Sequence, residues 1–260
     1  MSDNDLIYNE KDNVGHVLFN RPQTLNALTG AMYSRLEEIC ADIAGTRRVR
    51  ALVLRGATTI AFSSGTDIAA FQGLRSAQDA VALEDTTDRV MDALERCPVP
   101  TVAAIAGACS GSGFVLAAAC DLRIAAPNAR FSLTIARTLG NCLTPAGYER
   151  LSAEMRPGKL KQMIFTAIPI DAQQALAMNF INEVVNDPAA LADRADYIGR
   201  LAAAHAPLTL QATKEALLSL RPRTDRVRAR EMLLACYASA DFHEGVAAFL
   251  ARREPHWRGA

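Results

Sequence analysis

A cluster of three glycines between two apolar segments is the part of the sequence best suited to chemistry. Gly107, Gly111 and Gly113 follow an apolar, β-branched run over residues 99–105 and precede an apolar segment of helical character. This order predicts a buried strand, a tight turn and a helix. Glycine lets a ligand approach the main chain, and the first turn of a helix has amide N–H groups without intrahelical partners. The stretch therefore predicts a site that stabilises negative charge.

Three known glycine motifs do not fit this stretch. A dinucleotide fingerprint requires glycine where Leu116 stands, and a phosphate loop requires a lysine that is absent. A nucleophile elbow requires glycines two residues before and after the serine, which neither Ser110 nor Ser112 has. Close packing of a helix on a sheet through small residues is the alternative to a ligand site.

A second glycine turn lies about forty residues earlier. It comprises Phe62-Ser63-Ser64-Gly65-Thr66-Asp67 and follows an apolar strand predicted over residues 49–54. Asp67 stands where its carboxylate would cap a helix that begins near Ile68. The chain thus has two turns of the same kind, each placed before a predicted helix.

Composition excludes several classes of function. The 260 residues contain 28 basic and 28 acidic side chains, so neither nucleic acid nor a membrane surface is an expected partner. The six cysteines include no Cys-x-x-Cys pair, which indicates reduced core cysteines, no metal site and a cytoplasmic location. No run approaches the ~18 apolar residues of a membrane span.

The order of predicted elements indicates an α/β fold. Residues 6–20 predict a hairpin that turns at Asp12-Asn13, and apolar residues at helical spacing predict a helix over 25–43. Another helix is predicted within 76–96 and a strand over 121–125. Residues 131–147 predict an irregular, nearly uncharged segment, which favours a site wall over a linker. Later helices are predicted over 158–167, 172–179, 188–206, 208–220, 226–240 and 242–253, the second capped by Asp171.

Several segments, in order, resemble the crotonase (enoyl-CoA hydratase/isomerase) superfamily. They are Asn20-Arg21-Pro22, Leu25-Asn26-Ala27-Leu28, the two glycine turns, and the segments 119–125, 165–167 and 243–255. The resemblance implies a crotonase-like spiral of ββα units. It also implies a core over 1–195, a C-terminal helical trimerisation region over 196–260, and a homo-oligomer that is a trimer or a hexamer.

The resemblance further implies an acyl-CoA thioester as substrate, with coenzyme A carried by the substrate and no other cofactor. Its carbonyl oxygen would lie between the backbone N–H groups of Thr66 and Ser112, an oxyanion hole. Positions implied for coenzyme A or its pocket are Gln23, Thr24, Leu25, Ala27, Asp67 and Ile68, with Phe249 and Arg252 reaching the site from a neighbouring subunit. Gln23 replaces a basic residue that is common there.

The sequence departs from the hydratases of the superfamily at their two glutamates. The first maps onto Val115 and the second onto Ile135 or a direct neighbour, and neither side chain transfers a proton. Arg137 and Asn141 are the leading candidates for a polar group in their place. An ordinary surface arginine and a turn residue beside Gly140 are the alternatives for these two.

These observations leave three functions open. The first is enolate chemistry on an acyl-CoA, by an enzyme of isomerase, decarboxylase or lyase type. The second is hydration by an atypical route, and the third is a subunit that binds acyl-CoA without turning it over. General acid and base groups contribute about 10²–10⁴ in rate, so the loss of both glutamates disfavours hydration.

Overall fold

The computed structural model describes residues 4–221 and 226–259, with the side chains of 226–229 left out of the description. Its strands are β1 (Leu6–Lys11), β2 (Val14–Phe19), β3 (Ala51–Gly56), β4 (Ala61–Ser63), β5 (Thr101–Ile105), β6 (Ala108–Ser110), β7 (Leu122–Ala125), β8 (Arg130–Ser132), β9 (Ile170–Asp171) and β10 (Glu183–Val184).

The helices alternate with these strands in the first half of the chain and dominate the second half. They are α1 (Gly30–Thr46), α2 (Ala69–Gln72), α3 (Ala77–Glu95), α4 (Ser112–Ala118), α5 (Ile135–Thr138), α6 (Pro145–Glu154), α7 (Pro157–Thr166), α8 (Ala172–Ala177), α9 (Ala190–Ala203), α10 (Pro207–Ser219), α11 (Arg226–Ala238) and α12 (Ala240–Leu250). None of the described helices is long and apolar enough to cross a bilayer.

Two sheets organise the fold as a spiral. The first has the strand order β1-β2-β3-β5-β7-β10, and the second has the order β4-β6-β8-β9. Three successive turns of the chain each give one strand to each sheet, since β3, β5 and β7 pair in parallel while β4, β6 and β8 do the same. The expected ββα spiral is confirmed, and so is the opening hairpin around Asp12-Asn13.

Helices cover the first sheet on both faces. On one side, α1 and α3 pack together, and the buried α1 side chains include Met32, Tyr33, Leu36, Ile39 and Ile43. On the other side, α9 packs on β3 and β5, where its Gly199 contacts the side chains of Val14 and Val53. The predicted boundary at 195/196 falls inside α9, and the division into two regions stays a prediction.

The helix predicted from Leu25 begins instead at Gly30, behind a Thr29 cap whose hydroxyl accepts from the Met32 N–H at 3.3 Å. Leu25 and Asn26 have φ angles of 52° and 56°, so they form a turn. The cause is tertiary, because the buried Asn26 amide donates to the Ala61 carbonyl on β4 at 2.7 Å.

The prediction of an irregular segment over 131–147 is partly wrong. This segment contains the end of β8, the single-turn helix α5 and the start of α6. Pro145 begins α6 rather than breaking a helix, since the Thr144 hydroxyl caps the Gly147 N–H at 2.9 Å and proline suits the first helical position. A four-residue helix such as α5 is too short to show a helical period.

The later predictions agree more closely with the structure. The helices from α7 onward match within about four residues at their ends, and Asp171 caps α8 in a capping box with Gln174. The junction predicted near Asp241 lies at Ser239, which caps α12. All six cysteines are free, and those at 40, 97, 109 and 120 are buried, whereas Cys142 and Cys236 are partly buried.

A glycine-to-alanine pair tests the turn between β5 and β6. Gly107 has φ +60°, and an added Cβ would collide with the Ile60 carbonyl, so Gly107→Ala should lower the free energy of unfolding by about 2–4 kcal/mol. Gly30→Ala, where a Cβ meets no atom within 4 Å, should leave it unchanged or raise it slightly. Urea unfolding measures both, and equal midpoints for the two variants would contradict this account.

Candidate functional site

The two glycine turns lie side by side because the strands before them are neighbours. β4 ends at Ser63 and β6 ends at Ser110, and the two strands pair in parallel with Ser63 opposite Cys109. The ends of adjacent parallel strands meet at one edge of a sheet. The turn at Gly65 and the turn at Gly111 therefore emerge together.

Glycine is required where the two turns touch. A Cβ on Gly65 would lie 3.1 Å from both the Ser110 carbonyl oxygen and the Ser112 nitrogen, and Gly65 has φ +104°. A Cβ on Gly113 would lie 2.6 Å from the Ser63 carbonyl oxygen. Larger residues would force the turns apart, so their close approach depends on these glycines.

Each turn also has a backbone amide that is left for a ligand. Within the described part of the chain, neither the Thr66 N–H nor the Ser112 N–H donates to a protein acceptor. Ser112 is the first residue of α4, where an N–H has no intrahelical partner. Two such donors can stabilise an oxygen that gains negative charge. The structure thus brings together the two residues of the implied oxyanion hole.

A cluster of hydroxyls lies behind the amides. The Thr66 Oγ1 is 2.9 Å from the Ser112 Oγ and 3.0 Å from the hydroxyl of Tyr33 on α1. Burial raises the pKa of Tyr33 to about 12, so its phenol stays neutral at physiological pH. These neutral contacts tie the side chains of the two turns together without adding charge near the amides.

The loop implied for coenzyme A adjoins the first turn. Residues 25–28 run beside residues 64–67, with backbone bonds from the Leu28 N–H to Gly65 at 2.8 Å and from the Asp67 N–H to Leu28 at 2.9 Å. Asp67 also accepts from the Ala69 N–H at 3.0 Å, which confirms its role at the start of α2. Its second oxygen pairs with Arg21 at 2.8 Å.

The candidate residues of this loop are accessible to a ligand. Gln23, Thr24 and Leu25 are exposed, Ala27 is buried behind them, and Ile68 is partly buried. Phe249 and Arg252, at the end of α12 and just beyond it, are also exposed. Their implied contact with a neighbouring subunit stays a prediction.

The two positions implied for the hydratase glutamates are occupied by apolar, buried side chains. Val115 is 5% exposed on α4, and Ile135 is 8% exposed at the start of α5. The Arg137 side chain is exposed on α5 and forms no ion pair within the described residues. The structure does not bring Arg137 to the oxyanion pair, and its catalytic role stays a prediction.

Asn141 belongs to a polar network that the sequence analysis missed. Its amide donates to the hydroxyl of Tyr237 on α11 at 3.2 Å, and that hydroxyl donates to the carboxylate of Glu84 on α3. The Asn141 Oδ1 is buried and has no hydrogen-bond partner among the residues that the structure describes. Burial and the nearby charges of Asp88 and Asp85 raise the pKa of Glu84 to about 7, although the Tyr237 hydrogen bond lowers it.

A signal for Glu84 is present in the sequence. Ala80, Thr87, Met91 and Leu94 are buried on α3, and the partly buried Glu84 lies at the same helical spacing, four residues after Ala80. A carboxylate at a core position of an amphipathic helix is a candidate for function. No comparable pattern marks Tyr237, whose position depends on how α11 docks.

Two glycine turns follow neighbouring strands of one sheet, and each has a backbone N–H without an acceptor in the described chain, an arrangement suited to polarising a carbonyl oxygen. The comparisons agree, because the family model described as enoyl-CoA hydratase/isomerase matches residues 9–260. The chain belongs to this family, and it is a crotonase-type enzyme of acyl-CoA.

Relatives in this family carry out different reactions. The chain is 30% identical to the short-chain-enoyl-CoA hydratase of Clostridium acetobutylicum over 96% of both sequences. It is also 30% identical to the methylmalonyl-CoA decarboxylase of Escherichia coli, over 95% of both sequences. Methylmalonyl-CoA decarboxylase complexed with 2S-carboxypropyl CoA superposes with a TM-score of 0.89, at 28% identity and full coverage of both chains.

A pH titration of stability tests the burial of Glu84. Since its pKa is raised from 4.5 to about 7 on folding, the folded state binds this proton more tightly than the unfolded chain does. The proton on Glu84 therefore stabilises the folded state fully below pH 4.5, and this stabilisation is lost as the pH rises through 7.

Glu84→Gln has no such proton, so its stability relative to wild type should increase over this pH window by up to about 1.4 kcal/mol per pH unit. Urea unfolding from pH 4.5 to 8 measures the difference. Glu38→Gln, at an exposed glutamate on α1 that does not act on Glu84, is the control. A difference between Glu84→Gln and wild type that does not change with pH would show that the carboxyl is not perturbed.

Proposed function

We propose that the protein catalyses enolate chemistry on an acyl-CoA thioester, and that decarboxylation of a malonyl-type acyl-CoA is its reaction. One observation carries this proposal: the Thr66 and Ser112 amides are free and adjacent, while Val115 and Ile135 are apolar. The site supports a developing oxyanion but has no carboxylate at either position used for hydration.

Decarboxylation fits such a site because it forms the enolate without a base. The bond from the α-carbon to the carboxylate breaks, carbon dioxide leaves, and the electron pair moves toward the thioester oxygen. Two preorganised N–H donors stabilise the charge at that oxygen. Apolar side chains such as Val115 and Ile135 solvate a carboxylate poorly, and loss of carbon dioxide removes that charged group. The E. coli decarboxylase among the relatives supports this choice.

The other reactions require groups that these positions lack. Hydration needs a group that activates water, and isomerisation or carbon–carbon cleavage needs one that removes a proton. An atypical hydratase and a subunit that only binds acyl-CoA are therefore the alternatives to be tested.

The same proposal covers coenzyme A and assembly. We assign coenzyme A to Gln23, Thr24, Leu25, Ala27, Asp67 and Ile68, and the contact of these loops with the oxyanion turn supports that assignment. We assign a homo-oligomeric state, with Phe249 and Arg252 near a neighbour's coenzyme A. The exposed leucines of α10 and the residue after it support an interface, since Leu208, Leu217 and Leu220 are 71%, 62% and 77% exposed.

A substrate panel distinguishes the three functions. Purified protein is incubated with malonyl-CoA, methylmalonyl-CoA, crotonyl-CoA and 3-hydroxybutyryl-CoA, and the products are identified by mass spectrometry. We expect release of carbon dioxide from a malonyl-type thioester. Hydration of crotonyl-CoA alone would establish the atypical hydratase. Tight binding without turnover of any thioester would establish the non-catalytic subunit.

Two substitutions at one residue test the oxyanion hole. Ser112→Pro removes the N–H at the first position of α4, where proline is well tolerated, and should lower kcat by about 10²–10³. Ser112→Ala removes the hydroxyl and keeps the N–H, so its kcat should stay within a few-fold of wild type. Thermal unfolding checks that both variants fold. A larger loss in Ser112→Ala than in Ser112→Pro would assign the catalysis to the hydroxyl instead.

A further inference from the structure

A partly buried acid, Glu84 on α3, is linked through neighbouring side chains to the Gly65 turn and has no role in the proposed polarisation of the thioester. The Glu84 carboxylate accepts from the Tyr237 hydroxyl, which in turn accepts from Asn141. Burying a carboxyl without a compensating ion pair costs free energy, and such groups cluster at functional sites. An interhelical hydrogen bond that only joins α3 to α11 is the structural alternative.

The network adjoins the oxyanion turn. The Tyr237 ring lies 6.5 Å from that of Phe71 on α2, the helix that continues directly from the Gly65 turn. Glu84 also acts electrostatically on Tyr33, whose hydroxyl is 3.0 Å from the Thr66 Oγ1. The Phe71–Tyr237 ring contact thus joins the network to the helix that follows the Gly65 turn, and the charge of Glu84 acts on the tyrosine that is hydrogen-bonded to Thr66.

The network also adjoins the positions where a glutamate is missing. Asn141 closely follows α5, the helix that begins with Ile135, and the main chain folds back there through a bond from the Gly140 N–H to the Ile135 carbonyl at 2.9 Å. The unpartnered Asn141 Oδ1 is a buried acceptor, and a donor on a ligand would satisfy it. Asn141 thus brings the polar network close to α5, although the acid of the network, Glu84, belongs to α3.

We propose that Glu84 is the catalytic proton donor of this site and protonates the α-carbon of the enolate, while Tyr237 and Asn141 position its carboxyl. This inference rests on the proposed function. When the bond to carbon dioxide breaks, its electron pair forms the enolate. That pair then takes the proton of the Glu84 carboxyl to form the new C–H bond. The Glu84 carboxylate afterwards regains a proton from water.

The charged surroundings suit a donor that works near neutral pH. Several titratable groups interact electrostatically with Glu84. They are Tyr33 on α1, Asp85 and Asp88 on α3, Cys142 after α5, and Tyr237 on α11. Asp88 is paired with Arg150 at 3.3 Å and Asp85 with Arg230 at 3.6 Å. With a pKa of about 7, the Glu84 carboxyl is protonated in a large fraction of molecules at neutral pH.

Decarboxylation of methylmalonyl-CoA in D₂O tests the donor, because the new bond at the α-carbon then carries deuterium. Wild type should place one deuterium with a single configuration. Glu84→Gln should lower kcat by about 10²-fold or more, or lose the stereochemical preference because water delivers the proton. Glu38→Gln, at an exposed glutamate on α1 outside this network, should keep both kcat and configuration. Full kcat and one configuration in Glu84→Gln would overturn the proposal.

A second variant keeps the test decisive if Glu84→Gln fails to fold. Tyr237→Phe removes the hydrogen bond that stabilises the Glu84 carboxylate, so the pKa of Glu84 rises. The high-pH limb of the kcat profile, near pH 7 in wild type, should move to higher pH. A limb that stays in place would overturn the proposal. No turnover of any thioester by wild type would instead defeat the proposed function and, with it, this inference.

Discussion

Parallel pairing of β4 with β6 is the constraint on which the rest of the site depends. It places two turns, which are distant in sequence, at one edge of a short sheet. The pairing is close because Gly113 packs directly over the Ser63 carbonyl and Gly65 packs on the Ser110–Ser112 segment. Two N–H groups held by backbone geometry need no reorganisation when charge develops, which is the physical basis of the proposed oxyanion hole.

The surroundings of this amide pair decide which chemistry can follow. Val115 and Ile135 are buried and apolar, while Tyr33, Thr66 and Ser112 supply neutral hydroxyls. Asp67 of the first turn is paired with Arg21, and a second acid, Glu84 on α3, accepts a hydrogen bond from Tyr237 on α11. In the proposed function, the two amides act together with these polar groups, and the reaction depends on that arrangement more than on the fold.

Local signals account for the parts of the structure that the sequence predicts well. The Asp12-Asn13 hairpin, the Asp171 cap and the strand before Gly107 each follow from neighbouring residues alone. The predicted helix start at Leu25 is wrong for a long-range reason, since the buried Asn26 amide donates a hydrogen bond to the carbonyl of the distant Ala61. The short helix α5 lies below the length at which periodicity can be seen.

The sequence by itself determined the family and the two glycine turns, and it predicted the amide donors at Thr66 and Ser112 and apolar residues, Val115 and Ile135, at the two glutamate positions. These follow from residue identity in a local context, because turn geometry and side-chain chemistry are local properties. Only the tertiary structure decided that Glu84 meets Tyr237 and Asn141, and that Arg137 stays exposed. Such contacts join residues up to 153 positions apart, and their formation depends on how helices dock rather than on any local pattern.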